Sequence, residues 1–169
     1  MKKQIDRYLK KAYLDSLGKV AKEKININEL SKKMIRIFTK LYSNKDIKLR
    51  SNLDSALVLS SLEDMEEVIG NLVENACKWG KKVVFLDIKK KSEEEVEMIF
   101  SDDGPGLPDD KMHSVFARGF RLDEQTPGTG LGLNIVKDIV ETCKGKVRLA
   151  KSKELGGLEV RIIFPLSKA

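Results

Sequence analysis

Histidine, cysteine and proline are scarce in this 169-residue sequence, which holds one, two and four of them. The cysteines, Cys77 and Cys143, form no CxxC motif and no cluster with His113, so neither a zinc site nor a disulfide framework is expected. Both fall at apolar positions of predicted helices, which favours a place in the core. Two free cysteines also fit a protein of the reducing cytosol. His113 lies in a loop, where the spacing favours a surface residue over a catalyst.

Long hydrophobic runs are also absent. No apolar run approaches the roughly 18 residues of a membrane span, and the first residues do not form a signal-peptide pattern. No GxxxxGK[ST] segment occurs, which excludes a P-loop. The sequence is 41% apolar and 34% charged, which indicates a globular domain with a sizeable core.

Negative charge is scarce in the first 50 residues, which hold 15 Lys and Arg against 5 Asp and Glu. Such a basic segment could touch nucleic acid or anionic lipid. The alternative is a solvated helical face, and we favour it because no aromatic residues alternate with the lysines. We therefore expect no nucleic-acid partner.

Hydrophobic periodicity predicts an α+β domain. Helices are expected at 2–17, 29–43, 62–79 and 130–143, and the second should be capped by Asn28 with Ile37 and Leu41 facing inward. Strands are expected at 25–27, 46–50, 56–60, 82–88, 95–101, 146–151 and 158–164. The first helix has no start signal, as if it continued an earlier segment, and 19–24 forms a linker. We predict a two-layer α/β sandwich with a mixed, mostly antiparallel sheet and helices on one face.

One helix places polar residues beside its apolar face. In Asn71-Leu72-Val73-Glu74-Asn75-Ala76-Cys77-Lys78-Trp79, the residues Asn71, Asn75 and Lys78 form a stripe along the rim of a buried helix. A partly buried amide without a partner costs about 1–3 kcal/mol, so the stripe suggests a ligand. Two solvated Asn and a Lys that extends into solvent are the alternative.

Two glycine motifs follow. Asp102-Asp103-Gly104-Pro105-Gly106 comes at a strand end, where a carboxylate can accept a hydrogen bond from an exocyclic amine, although the segment is also suited to a plain turn. Gly128-Thr129-Gly130-Leu131-Gly132-Leu133 opens a helix and is suited to binding phosphate, although it does not fit the dinucleotide fingerprint.

Between the motifs, Arg118 and Arg121 could clamp phosphates, or could simply end a basic surface helix. The long segment 102–129 is expected to be functional.

Together, the NxxxNAxKW helix, the DxGxG turn, the FxRGxR segment and the GxGLGL helix entrance resemble the ATP-binding catalytic domain of sensor histidine kinases, a Bergerat fold with a mobile lid. The start of the chain is similar to PhoQ-like kinases. The resemblance implies that 1–24 is the end of a dimerisation helix with its linker, and that 25–169 is the kinase catalytic domain.

The resemblance also implies catalytic roles in phosphoryl transfer. Asn75 would be the principal Mg²⁺ ligand, with Asn71 supporting the metal from one turn away. Lys78 would reach the phosphates of ATP. Arg118 and Arg121 would act on the phosphates from the lid.

The remaining matching residues would bind the nucleotide. Asp102 would bind the adenine amino group, Gly104 and Gly106 would shape the floor beneath it, and Trp79 replaces the aromatic residue that usually packs there. The triphosphate would be wrapped by the helix entrance, which consists of Gly128, Thr129, Gly130, Leu131 and Gly132.

Three departures from the patterns of these proteins bear on the expectation. Hydrolysing members carry a Glu general base where this chain has Asn71, which favours transfer over hydrolysis. No HExxxP segment is present, so the acceptor histidine would come from a dimerisation domain of the same polypeptide or of a partner. Ala117 stands where many members have Glu, which leaves the local pairing of the lid open.

The resemblance implies a cytosolic portion of a membrane-bound homodimeric sensor that signals to a response regulator, with this chain itself monomeric. Two alternatives stay open at this point. One is a stand-alone ATPase of the same fold, and the other is a non-catalytic nucleotide-sensing module.

Overall fold

The computed structural model describes residues 21–116 and 132–168, together with the helical positions 5, 8, 9 and 12. Three helices and seven strands follow in the order β1 (Glu23–Asn26), α1 (Ile27–Leu41), β2 (Asp46–Ser51), β3 (Leu57–Ser60), α2 (Leu62–Trp79), β4 (Val83–Lys90), β5 (Glu95–Asp102), α3 (Gly132–Thr142), β6 (Lys146–Lys151) and β7 (Leu158–Pro165). Two single 3₁₀ turns, Asp109–Lys111 and Ser114–Phe116, lie between β5 and α3. The predicted elements that fall in these ranges are confirmed to within a few residues.

The main sheet has five strands in the order β2-β4-β5-β7-β6, while β1 and β3 pair separately as an antiparallel ribbon. The β2–β4 pair is parallel, and the other three pairs of the main sheet are antiparallel. Because β4 and β5 are joined by a short turn, they form a hairpin. The prediction of a mixed, mostly antiparallel sheet is therefore confirmed.

Strand register separates an apolar face of the sheet from a charged one. Leu86 lies opposite Phe100, and Phe100 lies opposite Val160, so that all three point to one face and are buried there. The helices pack on this face, and α2 also packs against α3. The opposite face, called here the outer face, carries ion pairs such as Arg50–Asp87. The predicted two-layer arrangement is confirmed.

The predicted cap of α1 is wrong by two residues. Asn26, in extended conformation, is the N-cap, and its side chain accepts a hydrogen bond from the backbone N–H of Asn28 at 3.2 Å. Asn28 lies inside the helix and is buried, where its amide donates to the carbonyl of Leu53. The contact with Leu53 engages the amide of Asn28, and the capping role falls to Asn26.

Two positions of α1 that were expected to face inward are exposed. Ile37 and Leu41 have 44% and 68% of their surface accessible. The buried residues of α1 all lie between positions 27 and 35, whereas in the second half Phe38 packs against the core and Ile37 and Leu41 lie on the solvent side of the helix. Leu62, the first residue of α2, is also 44% exposed.

Both cysteines are buried and free, as predicted. Burial raises the pKa of Cys77 to about 11 and also raises that of Cys143, so both thiols stay protonated and behave as apolar core groups. Among the residues that the structure describes, no helix is both long and apolar enough to cross a bilayer.

Candidate functional site

Helix α2 presents the polar stripe beside the core. Its N-cap is Ser61, whose side chain accepts a hydrogen bond from the backbone N–H of Asp64 at 3.1 Å. Its apolar residues are buried against the sheet, whereas Asn71, Asn75 and Lys78 are partly exposed. The apolar side fixes the rotation of the helix, and the stripe consequently lies along the rim of the core.

Asn71 and Asn75 meet the start of α3. A Cβ built on Gly132 would stand 3.1 Å from Oδ1 of Asn71 and 3.6 Å from Nδ2 of Asn75. The Nδ2 group of Asn71 donates to the carbonyl of Glu67 at 2.8 Å and to its Oε1 at 2.9 Å, which fixes the amide. The structure therefore brings three of the predicted site residues together.

Lys78 lies one turn further along the same rim. Its ammonium group is 3.5 Å from Oε1 of Glu74, and 26% of its side chain is exposed. An ion pair of this kind between residues four apart on a helix contributes little to stability.

Asp102 is buried at the end of β5. Its Oδ1 accepts hydrogen bonds from the backbone N–H of Gly104 at 2.8 Å and of Leu158 at 3.3 Å. Burial raises the pKa of the carboxyl, although the two N–H donors act in the opposite direction. A buried carboxyl held by backbone donors is oriented in advance for a ligand.

Glycines are required where the turn after Asp102 approaches the end of α2. A Cβ built on Gly104 would stand 2.2 Å from the carbonyl oxygen of Trp79, closer than any side chain allows. Gly106 has a φ of +72°, which favours glycine. The DxGxG turn is therefore locked against the end of the helix that carries the stripe.

A mostly apolar pocket separates the stripe from Asp102. It reaches from the amide of Asn75 to the carboxyl of Asp102, and its lining residues are Leu72, Asn75, Ala76, Trp79, Phe100, Asp102, Leu133, Leu158 and Val160. Flat apolar walls with one acceptor at the end suit a heterocycle that carries an exocyclic amine.

Sequence reasoning missed two parts of this site. One part is Leu158, the first residue of β7, and the other side of the same junction is Gly157, whose backbone N–H donates to the carbonyl of Asp102 at 3.1 Å. The adjacent glycines Gly156 and Gly157 are the available signal, because such a pair indicates a turn but not what the turn contacts. The second missed residue is Asp103, whose Oδ1 accepts from the N–H of Lys81 at 2.7 Å.

Asp103 differs from its neighbour in the direction of its pKa shift. Burial raises its pKa, but the backbone N–H groups of Lys82, Val83 and Lys81 outweigh this effect, and the pKa lies below its ordinary value. The two adjacent carboxyls thus have opposite shifts, and Asp103 fixes the chain between α2 and β4.

Several predicted site residues lie outside the described residues. They are Arg118, Arg121, Gly128, Thr129, Gly130 and Leu131, together with Ala117. On either side of that gap, the amide of Asn134 donates to the carbonyl of Phe116 at 2.8 Å, which joins α3 to the second 3₁₀ turn. His113 is exposed, as predicted.

Comparison with known proteins agrees with this geometry. Residues 61–168 match the family model described as histidine kinase-, DNA gyrase B-, and HSP90-like ATPase. The sensor protein kinase CarS of Pseudomonas aeruginosa is 47% identical over 107 residues, which are 63% of this chain and 24% of that protein. The sensor protein PhoQ of Escherichia coli K12 is 30% identical over 162 residues, which are 95% of this chain and 33% of that protein.

A solved structure described as the mycobacterial sensor histidine kinase MprB has the same fold, with a TM-score of 0.79 at 24% identity. The match covers 88% of this chain and 99% of that one. The chain spans a quarter to a third of the length of the two curated relatives. It belongs to the family of histidine kinase-, DNA gyrase B- and HSP90-like ATPases, as an ATP-binding domain of the sensor histidine kinase type.

Proposed function

We propose that this chain binds ATP with Mg²⁺ and donates the γ-phosphate to a histidine on a dimerisation domain, as one step of two-component signalling. One observation carries the proposal: a buried carboxyl, Asp102, is held by backbone donors at one end of an apolar pocket, and an amide stripe borders the other end. Adenine would lie between them, with its exocyclic amine donating to an oxygen of Asp102 and its ring against Leu158 and Trp79.

Asn75 and Asn71 are the residues that we propose hold Mg²⁺. Both amides face the space beside Gly132, where any larger residue would crowd the Oδ1 of Asn71. Amide oxygens are suitable ligands for this hard cation, which takes few protein ligands and shares the rest with phosphates and water. When bound, the ion would neutralise charge on the transferring phosphoryl group.

Other residues are proposed to orient the phosphates. Lys78 lies on the same rim as the two amides, one turn beyond Asn75, and its contact with Glu74 is weak enough to be replaced by a phosphate contact. Gly104 and Gly106 would form the floor of the adenine site. The sequence motifs extend the proposal to Arg118 and Arg121 and to the helix entrance formed by Gly128, Thr129, Gly130, Leu131 and Gly132.

Asn71 supports transfer over hydrolysis. Its Nδ2 group is held by Glu67, and an amide cannot accept a proton from water as a carboxylate general base does. The γ-phosphate would therefore be transferred to a better nucleophile than water, supplied by the dimerisation domain. We propose that residues 1–24 include the end of a helix of that domain and that 25–169 form the catalytic domain. We also propose that the whole protein is a homodimeric membrane sensor. Its catalytic part would be cytosolic and would act through a response regulator.

The test mixes this chain with labelled ATP, Mg²⁺ and a purified dimerisation domain. We expect label on the partner that is lost in acid and kept in base, and no label on this chain alone. A partner with its histidine replaced by Ala should stay unlabelled, as should the wild-type partner mixed with Asn75→Ala or Asp102→Ala. Phosphate release at a comparable rate without any partner would contradict the proposal and favour a stand-alone ATPase. ATP binding without label on the histidine-bearing partner would favour a nucleotide-sensing module.

A further inference from the structure

Arg50 contacts two carboxylates and an aromatic ring on the outer face of the sheet. Its guanidinium group binds both carboxylate oxygens of Asp87, at 2.5 and 2.7 Å, and both oxygens of Glu154, at 2.7 and 2.9 Å. It also lies 4.0 Å from the centre of the Phe85 ring. The ring and two forked ion pairs fix the plane of the guanidinium group.

The two carboxylates belong to distant parts of the fold. Arg50 is on β2 and Asp87 is on the adjacent strand β4, whereas Glu154 is in the turn between β6 and β7. Strands β4 and β5 lie between β2 and β7, so the turn must reach back across the outer face to meet Arg50. The contact between Arg50 and Glu154 has no part in the ATP site proposed above.

The turn that carries Glu154 is a closed unit. The backbone N–H of Ser152 donates to the carbonyl of Gly157 at 2.7 Å, and that of Gly156 donates to the carbonyl of Ser152 at 2.8 Å. The buried hydroxyl of Ser152 accepts from the N–H of Leu155 at 3.1 Å. Motion at one end of so short a unit is transmitted to the other end.

The other end of the turn is the nucleotide pocket. Gly157 and Leu158 both donate to Asp102, and the bond from Leu158 to the carboxyl is long at 3.3 Å. A long hydrogen bond is sensitive to small displacements of its donor. The turn is therefore attached at two points, to Asp102 on the helical face and to Arg50 on the outer face.

We propose that Arg50 is a positioning residue for the adenine pocket, acting through Glu154 to hold the β6–β7 turn and so to keep the N–H of Leu158 on Asp102. This inference rests on the proposed function, since it assumes that Asp102 and Leu158 contact adenine. The Arg50–Glu154 pair is itself exposed, and such pairs contribute little to overall stability. Its effect falls on the orientation of the turn.

The test compares Glu154→Gln with a matched control, Glu93→Gln. Both are exposed glutamates in turns between strands, and each pairs with a cation at 2.7 Å, but Glu93 pairs with Lys90, away from the pocket. Glu154→Gln leaves the Arg50–Asp87 pair in place, so no carboxylate is left without its partner. We expect the dissociation constant for ATP to rise about two- to fivefold in Glu154→Gln, the range of an exposed ion pair, and to be unchanged in Glu93→Gln.

Amide hydrogen exchange of Leu158 gives a second measurement that needs no nucleotide. Exchange of this amide should be faster in Glu154→Gln than in the wild type, and unchanged in Glu93→Gln. Arg50→Lys, which keeps the charge but loses the fork, should behave as Glu154→Gln does. Wild-type affinity and wild-type exchange in Glu154→Gln would overturn the inference alone, whereas a wild-type chain that binds no adenine nucleotide would overturn the proposed function.

Discussion

Gly157 leaves no room for a side chain beside Asp102. A Cβ built on Gly157 would stand 2.2 Å from Oδ1 of Asp102 and 2.3 Å from its carbonyl oxygen. Both are backbone or buried atoms that cannot move away cheaply. Residue 157 must therefore be glycine if the carboxyl of Asp102 is to keep its place at the end of the pocket.

Gly157→Ala should therefore displace Asp102. We expect the free energy of unfolding to fall by about 1–3 kcal/mol, the cost of overpacking, and the increase in melting temperature on adding ATP to disappear. Thermal unfolding with and without nucleotide measures both effects.

Gly156→Ala is the matched control for that substitution. Residue 156 has a φ of +87° but open space around its Cβ position. Alanine there should cost about 1–2 kcal/mol through backbone strain and leave the ATP response intact. An equal loss of the ATP response in both variants would show that the turn as a whole, and not the contact of Gly157 with Asp102, controls binding.

The adjacent carboxyls should give opposite pH dependence. The folded-state pKa of Asp102 is raised above 3.8, so its contribution to stability falls as the pH rises from about that value through the raised pKa. The pKa of Asp103 is lowered, so its contribution is present above 3.8 and is lost as the pH falls through the lowered value.

Urea unfolding from pH 3 to pH 7 would measure this difference. Relative to the wild type, Asp102→Asn should gain stability as the pH rises, because an amide oxygen still accepts from Gly104 and Leu158 without a buried charge. Asp103→Asn should lose stability relative to the wild type over the upper part of the range, and the difference should narrow towards the acid end. Parallel curves for the two variants would contradict the assigned environments.

Much of the fold could be predicted because its signals are local. The apolar spacing of α2 fixes which side is buried, and the positions of Asn71, Asn75 and Lys78 follow from that rotation alone. Glycine spacing likewise indicated the turn after Asp102. These are the parts of the site in which residues close in sequence act together.

The rest depends on contacts between distant residues. Leu158 donates to Asp102 across 56 positions, and only the order and register of β5 and β7 bring the two together. The capping error at Asn28 has the same origin, because the contact with Leu53 buries an amide that local sequence would place at the helix start. Patterns within one segment do not contain such information.

The two asparagines of the stripe should differ in their contribution to nucleotide binding. Asn75→Ala should remove most of the stabilisation by ATP that depends on Mg²⁺, which at a hundredfold excess over the dissociation constant is about 2.7 kcal/mol for a full-affinity site. Asn71→Ala should remove a smaller part, because the amide of Asn71 is held by Glu67 and only its oxygen faces Gly132. Melting curves with ATP and either Mg²⁺ or EDTA separate the metal-dependent part.

Asn44→Ala, at an exposed turn position, serves as the control for this pair and should respond to ATP and Mg²⁺ as the wild type does. If Asn75→Ala kept the full metal-dependent increase in melting temperature, the proposed ligand would be wrong, whatever its effect on the apo protein.

Lys45 stabilises the end of the helix that carries the stripe. Its ammonium group donates to the carbonyl of Gly80 at 2.6 Å and to that of Lys81 at 3.0 Å, where the negative end of the helix dipole lies. Lys45→Met keeps the length of the side chain and removes the charge, so the free energy of unfolding should fall by about 1 kcal/mol in urea titrations. Lys48→Met, which removes only an exposed pair with Asp46, should stay within about 0.5 kcal/mol of the wild type. Equal losses in the two variants would mean that net charge, and not the cap on Gly80, accounts for the effect.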